Sequence, residues 1–278
     1  MKALILRSGY FFVMISLLMF ISLVNASQPM LDSTNAPERA LRAKQIAMTG
    51  VYEIGEIDLL VGCLGDYTRL IPSNVSLPSG TLLSRDSRET SPIDEAEKAL
   101  VRIGKPSVPS LIMALKEGKY GKPGGHNTFR AAKVLGDMRE STALTRLKQL
   151  AEAGDYGHQN ETGADDEIPK AIAKIGKKDE YDFLLKILAM AERENRVNSG
   201  LLEAIGFTED ERSVSVLERY LKNGDKWRQV KVIKALGHTK SAEAIPLLLP
   251  YINSDDPFLK DGSRKALKEL GRSDLVPK

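Results

Sequence analysis

The sequence predicts an all-α protein: an α-solenoid of about five helical hairpins behind a degenerate N-terminal capping hairpin. Three observations carry that prediction. An apolar-Gly signature recurs as RIG, VLG, KIG, AIG, ALG and ELG, placing Gly104, Gly136, Gly176, Gly206, Gly237 and Gly271 at separations of 32, 40, 30, 31 and 34 residues. Before each glycine, apolar residues stand at −1, −4 and −5, as Leu135, Ala132 and Ala131 do before Gly136, which is one face of a helix. After the first five, positions +8 and +11 are apolar (Ile112/Leu115, Leu144/Leu147, Leu184/Ile187, Val214/Leu217, Ile245/Leu248), which is the face of a second helix.

Taken in order, the chain opens with Lys2 and Arg7, an uncharged run from Tyr10 to Val24, and the small-residue tripeptide Val24-Asn25-Ala26. The run is short of the roughly 20 residues that cross a bilayer, so residues 1–26 read as a cleaved secretory signal and the protein as periplasmic or secreted, with no stable membrane span after cleavage. Residues 27–70 offer two helices, the first with Pro37 near its start and Ala40, Leu41, Ile46 and Ala47 on its apolar face. Gly55 is the expected turn of this hairpin, with Cys63 at +8. Residues 71–92 are rich in Ser and Pro and lack helical period, which predicts a loop; 93–278 is the repeat array.

Within each repeat, a first helix ends at the glycine, which suits a left-handed stop. Ser107, Ser141 and Ser213 are spaced to cap the second helix, and Pro109 and Pro246 fit its first turn. One hairpin cannot bury its own apolar face, so hairpins must stack, with the second helices expected to line a concave surface.

Composition excludes several functions. Without residues 1–26 the chain has 38 Lys and Arg against 37 Asp and Glu, so no basic excess points to nucleic acid. Cys63 is the only cysteine, which rules out an intrachain disulfide and suits a small buried hydrophobe. No phosphate loop, HExxH, CxxC or GxSxG occurs, so no catalytic residue, metal site or cofactor is assigned.

The segments AAKVLGDMRESTALTRLKQL at 131–150, IKALGHTKSAEAIPLLLPYI at 233–252 and DDPFLKDGSRKALKELG at 255–271 resemble HEAT-like repeats of the phycobilisome-lyase type. That resemblance implies a protein-binding surface, with a minority of the family acting on bound bilin pigments. The function expected is therefore an exported scaffold for a protein or peptide partner. Lyase-like or pigment handling, or an envelope assembly role, stands as the alternative.

Two insertions between hairpins, 117–127 and 151–167, should emerge side by side on one edge. The first carries Tyr120, Lys122 and His126, the second Tyr156 and His158 among several acids. These five and Trp227 are the candidate partner-binding residues, since tryptophan is enriched in interface hot spots. Trp227 could equally staple one repeat to the next. His238, directly after Gly237, reads as a solvated turn residue.

Overall fold

A computed structural model describes residues 31, 36–65, 91–117, 125–154 and 167–277, without the side chains of residues 116, 117 and 126. Every regular element among them is helical, and no described helix is long and apolar enough to cross a membrane. The chain forms two compact units, Met1–Ala99 and Leu100–Lys278.

The first unit contains α1 (Ala36–Thr49) and α2 (Glu56–Cys63), with α3 (Pro92–Ile103) starting in it. The buried face of α1 is Ala36, Ala40, Ala43 and Ile46, while Leu41, expected inside, is exposed. Gly50, not Gly55, ends α1: its φ is +73° and its N–H donates to Ile46 O at 2.8 Å. Gly55 instead begins α2 with an ordinary right-handed φ. Cys63 is buried, and Arg42 ties the two helices to each other through Glu56 at 2.7 Å.

The second unit continues with α4 (Val108–Glu117), α5 (Gly125–Asp137), α6 (Leu144–Glu152), α7 (Glu167–Gly176), α8 (Tyr181–Arg193), α9 (Ser199–Phe207), α10 (Ser213–Asn223), α11 (Lys226–His238), the short α12 (Ile245–Leu248) and α13 (Pro257–Glu269). All six repeat glycines lie within two residues of a helix end, as expected. Their reason differs from the expected one at most positions. Gly104 and Gly271 do take a positive φ, +74° at each. Gly136, Gly206 and Gly237 remain in the helix, and the left-handed residue comes three later, at Arg139, Glu209 and Lys240. These three glycines are small because the next repeat is too close. A Cβ on Gly136 would meet Ala171 Cα at 2.8 Å, on Gly206 Ala235 O at 2.2 Å, and on Gly237 Ala266 Cα at 2.9 Å.

The first helices are the spine of the unit: α5 packs on α7, α7 on α9, α9 on α11 and α11 on α13, with a glycine at the close approach in every rung but α7 on α9. Each second helix packs on the first helix of the following hairpin, and no comparable ladder joins the described second helices to one another. Repeats therefore approach most closely along the glycine-bearing helices.

The second helices also turn slightly from the expected register. Leu115, Leu147, Ile187, Leu217 and Leu248, all at +11, are fully buried, but Ile112, Leu144 and Ile245 at +8 are only half-buried. In those three repeats Leu111, Ala143 and Ala244, at +7, fill the core instead. A turn of 3₁₀ helix precedes each of these second helices. Such a turn also precedes α8, where Leu184 at +8 is fully buried, so the 3₁₀ turn alone does not set the register.

The serines correct another expectation. Ser107 Oγ donates to Gly104 O at 2.7 Å and Ser213 Oγ to Ile205 O at 2.9 Å, closing the end of the first helix rather than capping the second. Side-chain caps instead start the first helices: Asn198 accepts from the Leu201 N–H, Asp225 from the Arg228 N–H, and Asp256 from the Phe258 and Leu259 N–H groups.

Candidate functional site

Because equivalent residues of successive repeats stack, everything just after a repeat glycine gathers on one edge, where the first helices end. A cleft of about 310 Å³ opens there. α5 and its turn contribute Asp137 and Arg139, α7 contributes Lys174 and then Lys177, α9 contributes Phe207 and then Glu209, α11 contributes His238 and then Lys240, and α13 closes it with Glu269.

The floor is a pair of rings. Phe207 and His238 each follow a repeat glycine by one residue, so the ladder lays one on the other, with centroids 4.0 Å apart and planes 17° from parallel. Around them runs a rim of ion pairs linking one repeat to another: Lys174 to Asp137 at 2.6 Å and Lys177 to Glu209 at 2.7 Å. The Lys174 ammonium also stands 5.2 Å from the Phe207 ring centroid. Lys240 Nζ donates to Glu269 O at 3.0 Å, satisfying a carbonyl at the end of α13. Arg139, in its left-handed turn, is exposed at the mouth.

His238 is not the solvated turn residue expected from its position. Its side chain is 13% exposed, with Nδ1 3.0 Å from Glu269 Oε2. Burial, reinforced by Lys234, Lys240 and Lys174, outweighs the pull of Glu203 and pushes its pKa down to about 4. The ring is therefore neutral at pH 7, and Nδ1–H donates to the Glu269 carboxylate. Lys234 reaches both carboxylate oxygens of the buried Glu203 at 3.2 Å.

A depressed imidazole pKa has a definite linkage. Above about pH 6.5 the ring is neutral both folded and unfolded, and it contributes nothing to pH dependence. Below that the unfolded chain takes up a proton that the folded protein refuses until about pH 4, so stability falls as pH drops through this window. Urea unfolding should show wild type losing about 2 kcal/mol more than His238→Phe between pH 7 and pH 4.5. A difference below about 0.5 kcal/mol would mean the ring titrates normally.

Of the sequence-based candidates, Tyr120, Lys122, Tyr156 and His158 lie outside the described residues, as does the adjacency of their two loops. His126 is not in a loop: the backbone of residues 125–127 already belongs to α5. Trp227 is described. It is 59% exposed and also reaches the next repeat, its ring 5.2 Å from that of Phe258. Trp227 and Phe258 match because each is the second residue after its aspartate cap. Among the described residues no cluster of His, Cys, Asp and Glu could hold a metal ion. Sequence reasoning missed the cleft, although its signal was present as two rings at the same repeat position.

Residues 181–268 match a family model for HEAT repeats. No curated protein matches the sequence. Among solved structures, the fold is similar to a chain of the complex of CpcE and CpcF of phycocyanin lyase from Nostoc sp. PCC7120, at 18% identity and a TM-score of 0.53, covering 88% of this chain and 90% of that one. An engineered protein aligns over 88% of this chain and 94% of its own, at 15% identity and a TM-score of 0.33. Residues 181–268 thus carry HEAT repeats, and the protein has the all-α solenoid fold of HEAT-like repeat proteins.

Proposed function

We propose that the protein is an exported scaffold that holds a segment of a protein partner in the cleft along the ends of its first helices, with no catalysis of its own. The observation that carries this reading is the construction of the cleft. Its walls come from five successive first helices, so it runs across the repeats rather than into one of them, as a groove for an extended chain does. An aromatic floor with charged side chains of both signs on its rim suits a peptide, whose apolar side chains can stack on Phe207 and His238 while its polar groups meet Lys177, Glu209 and Arg139. The N-terminal segment, with Lys2, Arg7 and the run from Tyr10 to Val24, supports export to the periplasm or medium.

Photo-crosslinking in the native host tests this. A benzophenone side chain placed at Lys177 or Lys240 should capture the same protein, and one at Glu218 on α10 should not. Phe207→Ala should weaken that capture at both positions. Equal capture at Glu218, or none anywhere while a chromophore or other small molecule co-purifies with the chain, would replace this reading with the lyase-like one.

A further inference from the structure

α11 differs from the other first helices. Its charged side chains, Lys226, Arg228, Lys231 and Lys234, are all cationic and exposed, and it contains no acid, whereas α5, α7 and α13 each mix signs. Trp227, Lys231 and Lys234 recur at i, i+4 and i+7, which places them on one stripe. At the start of the neighbouring α13 stands Phe258, 51% exposed and against Trp227. Lys226 Nζ lies 5.1 Å from the Trp227 ring centroid and 5.6 Å from that of Phe258. Of the nearby acids, Asp225 accepts from the Arg228 N–H, Asp256 caps α13 and pairs with Lys226 at 2.6 Å, and Glu203 pairs with Lys234 at 3.2 Å, while Asp255 is exposed beside them. From residue 226 to the end, eleven Lys and Arg stand against six Asp and Glu, in a chain that is close to neutral from residue 27 on.

We propose that this aromatic and basic end of the array is a peripheral docking surface for an anionic phospholipid bilayer. Tryptophan and phenylalanine settle at the headgroup level, where an amphipathic ring has both an apolar and a wet neighbourhood, and exposed cations are drawn to anionic leaflets. The placement of the rings favours lipid over a peptide. Protein hot spots are centred in packed pockets. Trp227 and Phe258 instead stand out from helix starts, while the described cleft is at the other ends of these helices, roughly 18 Å away along α11. A headgroup layer accepts protruding rings without a complementary shape, and Arg228 and Lys231 are then positioned to meet lipid phosphates. This goes beyond the scaffold reading and leaves the cleft free for a partner.

Trp227 is the only tryptophan, so its emission reports on this surface alone, and insertion of the N-terminal apolar run does not by itself move it. The full chain is titrated with phosphatidylglycerol–phosphatidylcholine vesicles, with phosphatidylcholine alone, and with anionic vesicles whose acyl chains carry bromine. The expected result is a blue shift, and quenching by bromine, with the anionic vesicles only. Charge reversal by Arg228→Glu with Lys231→Glu should reduce partitioning at least about tenfold, and added salt should weaken it. Phe258→Ser should weaken it several-fold. These side chains are exposed, so the thermal melting of the variants should match wild type; the Lys231→Gln variant repeats the charge test with a milder change. Unchanged Trp227 emission with anionic vesicles at low salt overturns the proposal. So does an equal response to phosphatidylcholine alone, or partitioning that survives all these substitutions. A shift that grows with protein concentration without lipid assigns the surface to a second copy. A full shift with polyglutamate but none with vesicles assigns it to an acidic protein. Either of these also overturns it. Crosslinking at Lys177 and Lys240 reads the opposite helix ends, so the two proposals fail separately.

Discussion

Gly206→Ala should destabilise the protein by about 3 kcal/mol, although alanine is the better helix former by about 1 kcal/mol. The added Cβ would lie 2.2 Å from Ala235 O and 3.0 Å from Ala235 C, atoms of the α11 backbone that cannot swing aside as a side chain could. α9 and α11 would have to separate, and every contact along that rung of the ladder would loosen with them. Two other glycines provide the contrast. Gly104 has open space around its Cβ position, but its φ of +74° with ψ of −135° is a combination nearly confined to glycine, so Gly104→Ala should cost backbone strain of about 1–3 kcal/mol and no clash. Gly55 has open space and an ordinary φ, so Gly55→Ala should be neutral or slightly stabilising. Urea unfolding of the three variants measures the order. A Gly206→Ala protein as stable as wild type would mean that the helices are not held at this spacing.

The second large effect is expected at Leu147, fully buried on α6 at the +11 position of its repeat. Because α6 closes against α7 of the next hairpin, removing this side chain opens a cavity between two repeats rather than at a surface. Leu147→Ala should cost about 2–5 kcal/mol by lost burial and the residual void together. Leu144, one turn earlier and only half-buried, should cost about 1 kcal/mol on the same substitution. If both variants lose the same amount in denaturant unfolding, the inward placement of the +11 residue over the +8 residue is wrong. A loss below about 1 kcal/mol at Leu147 would make that position peripheral.

The repeat, its period, the two helices of each hairpin and the place where the first helix stops were legible from residue spacing. Gly104 through Gly271 with their −1, −4 and −5 partners can satisfy a helical period in only one way. Trp227 stood out only as a residue type enriched in hot spots, either exposed or stapling repeats, and the structure shows it exposed and against Phe258. Local spacing, however, records what a helix needs from itself, and the remaining decisions came from neighbouring repeats. Only the packing shows that Gly136, Gly206 and Gly237 make room for an alanine-bearing helix instead of reversing the chain, and that successive first helices pack on one another. Only stacking turns Phe207 and His238, 31 residues apart, into one aromatic floor. Only the packing makes His238 a largely buried, neutral ring rather than the solvated turn residue its position suggests. Sequence by itself determined the unit that repeats; tertiary structure decided the cleft and the exposed aromatic end, because both are built from side chains of different repeats that meet only when the repeats are stacked.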